Sequence, residues 1–245
     1  MLADVARFVW PVRCWLCGAE VYGPAGIQGP GEVDRGAGPD PWCSAHAPEV
    51  RAGAPHCGRC ASELAPGLAP GSTCASCRRR APAFTEVVAP FSYRHPGMRA
   101  AILAFKHGGR RDLAAPLARA MVSVTADRPG PFELLVPVPS HLARRLSRGY
   151  DPPGLLADEL ELAGGGQRAS VLRRVRATPP QGSPGAAGRW GNVRGAFRYT
   201  GTRLSGERVW LVDDVLASGA TADACARSLR AAGAGPVVVL ALARA

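Results

Sequence analysis

Two adjacent carboxylates, Asp213 and Asp214, close the apolar run Val209-Trp210-Leu211-Val212 and are followed by Val215, Leu216, Ala217, Ser218, Gly219, Ala220 and Thr221. The run reads as a buried strand, and Ala222 to Ala232 as the helix after it. Strand, acid pair, small-residue loop and helix, in that order, put the carboxylates beyond the carboxyl end of a strand, where open α/β sheets bind ligands. The first-turn N–H groups of the helix and its dipole favour a phosphate. Gly219 permits close backbone approach, and Ser218 and Thr221 add hydroxyl donors. This combination suits a phosphorylated sugar: carboxylates on ribose hydroxyls, and the stretch from Val212 to Thr221 around the 5′-phosphate. The competing reading is a buried strand whose acidic end caps a helix.

A second group of residues points to metal. Seven of the eight cysteines precede residue 78, and six form the pairs Cys14-x2-Cys17, Cys57-x2-Cys60 and Cys74-x2-Cys77. Between the first two lies Cys43-x2-His46. Thiolates and imidazole at this spacing suit tetrahedral Zn²⁺. The alternative is disulfides, which a chain without a secretory signal disfavours. Sequential grouping gives Cys14, Cys17, Cys43 and His46 for one ion, and Cys57, Cys60, Cys74 and Cys77 for the other, with His56 competing with His46. Four protein ligands leave no open position, so both ions are expected to be structural. Cys225, alone in the helix after the acid pair, reads as a small buried hydrophobe.

The elements that must position these residues alternate. Ala83 to Tyr93 reads as a strand or hairpin. Pro96 to Phe105 has helical spacing, and Lys106 to Arg111 reads as a flexible basic turn. A helix is expected from about Asp112 to Val124 and a strand from Glu133 to Val138. Arg144, Arg145 and Arg148 then form a basic loop before a helix from Pro153 to Leu162. Val171 to Val175 and Ala196 to Tyr199 read as short strands around a mobile loop, Thr178 to Asn192, which carries Arg189. Pro236 to Ala243 is the last strand. Alternating strands and helices imply an α/β fold with a mainly parallel sheet. The expected division is 1–82 for the metal module and 83–245 for the α/β domain.

Charge and length narrow the classes. The 245 residues carry a net charge of +11, which suggests an anionic partner. From His141 to Arg198 ten arginines face four carboxylates. Lys106 is the single lysine, so it is a candidate for a site that needs a compact ammonium, with chance survival the alternative. Nothing approaches the roughly 20 apolar residues of a membrane span. The first residues lack a long apolar segment, and a cytoplasmic protein is expected.

Residues 209–221 resemble the phosphoribosyl-diphosphate (PRPP) motif of type I phosphoribosyltransferases, with Ala217 and Ser218 where two threonines are frequent. The resemblance widens along the chain: four knuckles, Phe105 to Arg110, Val136-Pro137-Val138-Pro139, Arg148-Gly149-Tyr150, Thr178-Pro179-Pro180-Gln181, Arg189, Asn192, Gly195-Ala196-Phe197 and the acid pair. This succession is similar to the ComF family, which joins a zinc ribbon to a phosphoribosyltransferase-like domain. It departs at Tyr150-Asp151-Pro152, where the family usually has Phe-Asn-Gln, and at His46, where it usually has Cys. The resemblance implies PRPP bound with Mg²⁺, with Asp213, Asp214 and Arg189 at the reacting sugar. Lys106, Arg144, Arg145 and Arg148 would hold the diphosphate, and the acceptor is unknown. It also implies a link to DNA uptake through single-stranded DNA or the competence machinery. Two alternatives are a DNA-binding protein and a sensor that binds PRPP or a nucleotide without turnover.

Overall fold

The structure is a computed structural model that describes residues 14, 17–19, 42–43, 51, 55–122, 133–176 and 186–245. Helix α1 (Ala75–Arg80) carries the end of the last cysteine pair, with Cys74 as its N-cap and Cys77 in its first turn. Strands β1 (Glu86–Val88) and β2 (Phe91–Ser92) lead into α2 (Pro96–His107). A short 3₁₀ turn, Arg111–Leu113, opens α3 (Ala114–Val122), and β3 (Leu134–Pro137) follows. Next come α4 (Leu142–Arg148), α5 (Pro152–Leu162), β4 (Gln167–Arg168), β5 (Leu172–Arg174), α6 (Ala186–Val193) and β6 (Phe197–Tyr199). The chain then runs through β7 (Val209–Leu216), α7 (Ala220–Ala231) and β8 (Val237–Arg244).

The main sheet has the order β1-β8-β7-β3-β4, every neighbouring pair parallel, and β2 continues the β1 edge along β8. Strands β5 and β6 pair antiparallel beside it. This helix-flanked, mainly parallel sheet is the α/β architecture expected from the sequence. Both central strands are buried on two faces, which explains their near-continuous apolar runs. On one face Met98, Ile102 and Phe105 of α2, Leu117 and Met121 of α3, and Leu156 and Leu160 of α5 cover Trp210, Val212, Leu240 and Leu242. On the other, Cys225 and Leu229 of α7 pack with Phe84, Val193, Val209, Leu211 and Val239. Among the described residues no helix is long and apolar enough to cross a membrane.

Several local expectations change. Residues 83–93 form no hairpin: β1 and β2 both lie parallel to β8, because Ala89 and Pro90 only offset one strand into two. Lys106 lies in the last turn of α2 and not in the turn after it; the helix closes at Gly108, whose N–H donates to Ala104 O at 2.8 Å. Residues 142–148 are helical where a basic loop is expected. Ala186–Val193 is likewise a helix inside the expected mobile loop, while Thr178 to Gln181 lie outside the described residues.

The acid pair is not the end of its strand. β7 runs on to Leu216, because β8 is long enough to pair with it as far as Arg244. Strand β3, on the other side, stops with Pro137 opposite Val212. Asp213 and Asp214 therefore stand just past the end of β3 while β8 still supports them from behind.

Candidate functional site

The chain leaves β3 toward β4 on one side and leaves β7 toward β8 on the other. The ends of β3 and β7 thus flank the point where the strand order reverses, the crevice in which open α/β sheets hold ligands. Asp214 is 6 % exposed there and forms an ion pair with Lys106, Nζ to Oδ1 2.7 Å. The single lysine of the chain is delivered by the last turn of α2, whose apolar face, Met98, Ile102 and Phe105, is locked in the core. Half-buried Asp213 turns back on the backbone, its Oδ1 accepting from the Asp214 N–H at 2.8 Å. Burial and the Asp214 charge push the Asp213 carboxyl well above the usual carboxylate range, while Lys106 pulls the other way.

Beyond β7 the loop from Ala217 to Gly219 turns into α7. Gly219 is the cap of that helix at φ +77°, a left-handed conformation that glycine takes without strain. Ser218 Oγ accepts from the Ala220 N–H at 3.4 Å, and Thr221 lies in the first turn. Phe84 packs 3.7 Å from where a side chain on Gly219 would start, so the loop rests on the core. Val212 and Leu216 are buried, and Val215 packs against the core. Their side chains support the loop from the core side.

Two residues that the sequence reading passed over hold this loop. Asp223, 5 % exposed, accepts from the Ala83 N–H at 2.7 Å and from Arg227 Nε at 2.8 Å, tying the start of α7 to the segment before β1. Arg244, at the end of β8, reaches the carbonyls of Leu216 and Ala217. An acid in a helix's first turn is a readable signal for Asp223. Arg244 gives none, since its partners are distant in sequence.

The basic residues divide. Arg145 and Arg148 lie on α4, and Arg145 stands near enough to Asp151 to influence its carboxyl. The side chains of Arg144, on the same helix, and Arg189, on α6, lie outside the described ones. Tyr150, after Gly149, donates to the Phe105 carbonyl and so braces the helix end that carries Lys106. Arg111 stacks over its ring at 4.9 Å and bonds the Gly149 carbonyl at 2.9 Å. Asp151 stands where the family's amide is usual. Burial raises its carboxyl, with Ser140 and Arg145 opposing and the Asp214 charge adding to the rise.

The cysteines gather into two groups that can each hold a metal ion: Cys57, Cys60, Cys74 and Cys77, and Cys14, Cys17 and Cys43. His46, the expected fourth ligand of the second group, lies outside the described residues, whereas His56 pairs with Glu63 in a β-bridge. Metal–sulfur bonds of about 2.3 Å set tetrahedral ligands about 3.8 Å apart. Cys60–Cys74 and Cys17–Cys43 are both 3.7 Å apart, Sγ to Sγ, which fits. Backbone N–H groups aim at the sulfurs, Cys74 N to Cys57 Sγ at 3.3 Å and Cys77 N to Cys74 Sγ at 3.4 Å. Burial works against the Cys57 thiolate, but N–H donation from Cys74, Cys60 and Arg59 prevails and brings it down to about 6. Burial pushes Cys74 and Cys77 up.

Comparison with known proteins adds the family. No protein-family model matches the chain. It is 29 % identical over 199 residues to Competence protein F of Haemophilus influenzae, covering 78 % of this chain and 85 % of that protein. It is 30 % identical over 208 residues to DNA utilization protein YhgH of Salmonella typhimurium, covering 82 % and 89 %. Similar solved structures include the allosteric regulatory enzyme of purine biosynthesis, at 19 % identity and TM-score 0.37 over 58 % of this chain. The match spans only 30 % of that enzyme's length. Another is the protein TT1426 from Thermus thermophilus, at 19 % identity and TM-score 0.29, covering 54 % and 83 %. With its motif succession, its cysteine knuckles and this identity over nearly the whole length of its relatives, the chain belongs to the ComF family.

Proposed function

We propose that this protein binds PRPP with Mg²⁺ in the crevice between β3 and β7 and transfers the phosphoribosyl group to a nucleophilic acceptor. The observation that carries the reading is the Lys106–Asp214 pair, 2.7 Å apart, beside a helix capped by a left-handed glycine. Carboxylates of Asp213 and Asp214 accept hydrogen bonds from the ribose hydroxyls. First-turn N–H groups of α7, with Ser218 and Thr221, take the 5′-phosphate. Lys106, Arg144, Arg145, Arg148 and Arg189 neutralise the diphosphate. The bond between C1 and the diphosphate oxygen breaks with its electron pair leaving on pyrophosphate. The acceptor's nucleophilic atom bonds C1 and passes its proton to the departing pyrophosphate. The oxygen donors of the acid pair are of the kind Mg²⁺ prefers, and the ion would supply further charge neutralisation on the leaving group.

In the same reading, the two cysteine groups hold one structural Zn²⁺ each, with His46 completing the set of Cys14, Cys17 and Cys43, and residues 1–82 form a unit distinct from 83–245. Calorimetric titration with PRPP–Mg²⁺ tests the site. Asp213→Asn combined with Asp214→Asn is expected to abolish binding while the chain stays folded, because ligand and Lys106 are what these carboxylates serve. Undiminished affinity in the double variant would overturn the assignment.

A second reading is supported by the relatives named for competence and DNA utilization, and by the surface of α4. There Leu142 is 63 % exposed and Leu146 75 %, next to Arg145 and Arg148. Single-stranded DNA bound there links the protein to DNA uptake, and its affinity is expected to fall steeply with salt. Binding that is flat with salt contradicts this reading.

A further inference from the structure

We propose that Arg244 is a positioning residue that makes the Cys57–Cys77 knuckle part of the phosphate loop, so that the metal in the knuckle sets the shape of the loop. The inference rests on the PRPP reading for the loop's ligand and goes beyond it in giving the knuckle a part in ligand binding.

The Arg244 guanidinium spans the two structures. Nε donates to the Cys60 carbonyl at 3.1 Å, and Nη2 to Ser62 Oγ at 2.7 Å. Ser62 Oγ in turn lies 3.1 Å from Cys60 Sγ. Toward the loop, Nη1 donates to the carbonyls of Leu216 at 2.9 Å and Ala217 at 2.5 Å, and it also contacts the Ala245 carbonyl. The root of the side chain is fixed from both sides, since Arg244 lies opposite Ser92 on β2 and Leu216 on β7.

Peptide geometry turns these contacts into a binding surface. In a planar trans peptide the C=O and the following N–H point in opposite directions. Holding the Leu216 and Ala217 carbonyls toward Arg244 therefore turns the Ala217 and Ser218 N–H groups away from it. Among the described residues these two N–H groups have no acceptor, so they are available to an anion. Only a planar fork reaches two loop carbonyls and two knuckle oxygens at once, which a lysine cannot do. On the knuckle side, Cys60 belongs to the group with Cys57, Cys74 and Cys77 that can hold a metal ion, so a bound ion would fix the Cys60 carbonyl and Ser62 more firmly than the Cys57 N–H to Ser62 carbonyl bond of 2.8 Å does alone. A separate contact joins the knuckle to the α6 side: Arg80 of α1 stacks over Trp190 at 5.3 Å.

The experiment uses the full metal-loaded chain and compares wild type, Arg244→Ala, Arg244→Lys and Ser62→Ala, each before and after removal of the metal by a chelator. The readouts are metal content, melting temperature, amide exchange of peptides spanning 216–225, and affinity for PRPP–Mg²⁺. Arg244→Ala is expected to keep its metal, to speed exchange over 216–225 and to weaken PRPP by about tenfold or more, the scale of one or two charge-assisted hydrogen bonds. Arg244→Lys restores little, and Ser62→Ala loses a few-fold. Metal removal from wild type produces the same change in exchange, and metal removal from Arg244→Ala adds little, since both act through one link. Unchanged exchange in Arg244→Ala, or independent additive effects of the variant and of metal removal, would overturn the proposal. Exchange is measured without ligand, so a wild type that fails to bind PRPP refutes the reading of the site while the exchange data still decide the role of Arg244.

Discussion

Replacing Lys106 by methionine keeps most of the side chain's length and removes only its charge. It leaves Asp214, 6 % exposed, facing a vacant position 2.7 Å away. At that separation the gross Coulomb attraction is about 6 kcal/mol for an effective dielectric constant of about 20. Desolvation of the two ions offsets most of it, so the net coupling is expected to be about 1–3 kcal/mol. Lys106 is itself less than one-quarter exposed, so solvent screening trims this value without erasing it. For a chain of this size about 2 kcal/mol corresponds to a drop of about 4–8 °C in melting temperature. Because Lys106 also opposes the rise of the Asp213 carboxyl, that group should move further up in the variant. The assay is a double-mutant cycle of Lys106→Met and Asp214→Asn by urea or thermal unfolding. A coupling energy within about 0.5 kcal/mol of zero would show that the pair is incidental. Titration with PRPP–Mg²⁺ then asks whether the ammonium also serves the ligand. Lys106→Arg, which keeps the charge but not the compact head, is expected to weaken binding by about 1–2 kcal/mol. Wild-type affinity in that variant removes the argument from the single lysine.

The remaining predictions concern the acid pair, the loop and the metal. Since folding raises the Asp213 carboxyl, its contribution to stability is complete below the ordinary carboxylate pKa of about 3.9 and is lost as pH rises through the raised value, at about 1.4 kcal/mol per unit. Asp213→Asn should therefore gain on wild type in melting temperature from about pH 4 upward; a difference that does not change with pH contradicts the assigned burial. Gly219→Ala should cost about 1–2 kcal/mol through its positive φ, since the space for a methyl is adequate, and it should weaken PRPP binding as well. Elemental analysis of protein purified without added metal should find close to two zinc ions per chain, and a value near one would strike Cys14, Cys17, Cys43 and His46 from the ligand set.

What could be read from the sequence was what repeats locally. An apolar run, an acid pair and a left-handed glycine are neighbours along the chain, so β7, the loop and α7 were readable, although the strand outran its polar residues because β8 continued beside it. The cysteine pairs were legible because metal ligation imposes its own short spacing. Helix α4 was not, because Leu142 and Leu146, four residues apart, face outward among arginines and so gave no apolar face packed on a core. Arg244 gave no signal, and Asp223 could be read as a first-turn acid but not as a clamp, for a different reason. Their partners, Cys60 and Ala83, stand far away in sequence, and only the closed sheet brings them together. Lys106 was singled out by its rarity and by the segment Phe105 to Arg110 of the family resemblance; its position on a helix end, braced by Tyr150, is a fact of packing.

The position of β8 in the sheet has a kinetic meaning. Among the described residues, β1 and β2 have β8 as their strand partner, and Glu86 meets Val238. Early strands must therefore wait, with unpaired edges, until a segment far down the chain exists and arrives between them and β7. Closing so long a loop is slow, and the waiting edges are open to pairing with other chains. The same insertion brings Arg244 to the loop, so the loop proposed to hold the anion is finished in the step that seals the sheet. A chain caught before that step would carry its cysteine knuckles, its lysine and its acid pair, and still lack the loop contacts of the proposed phosphate site.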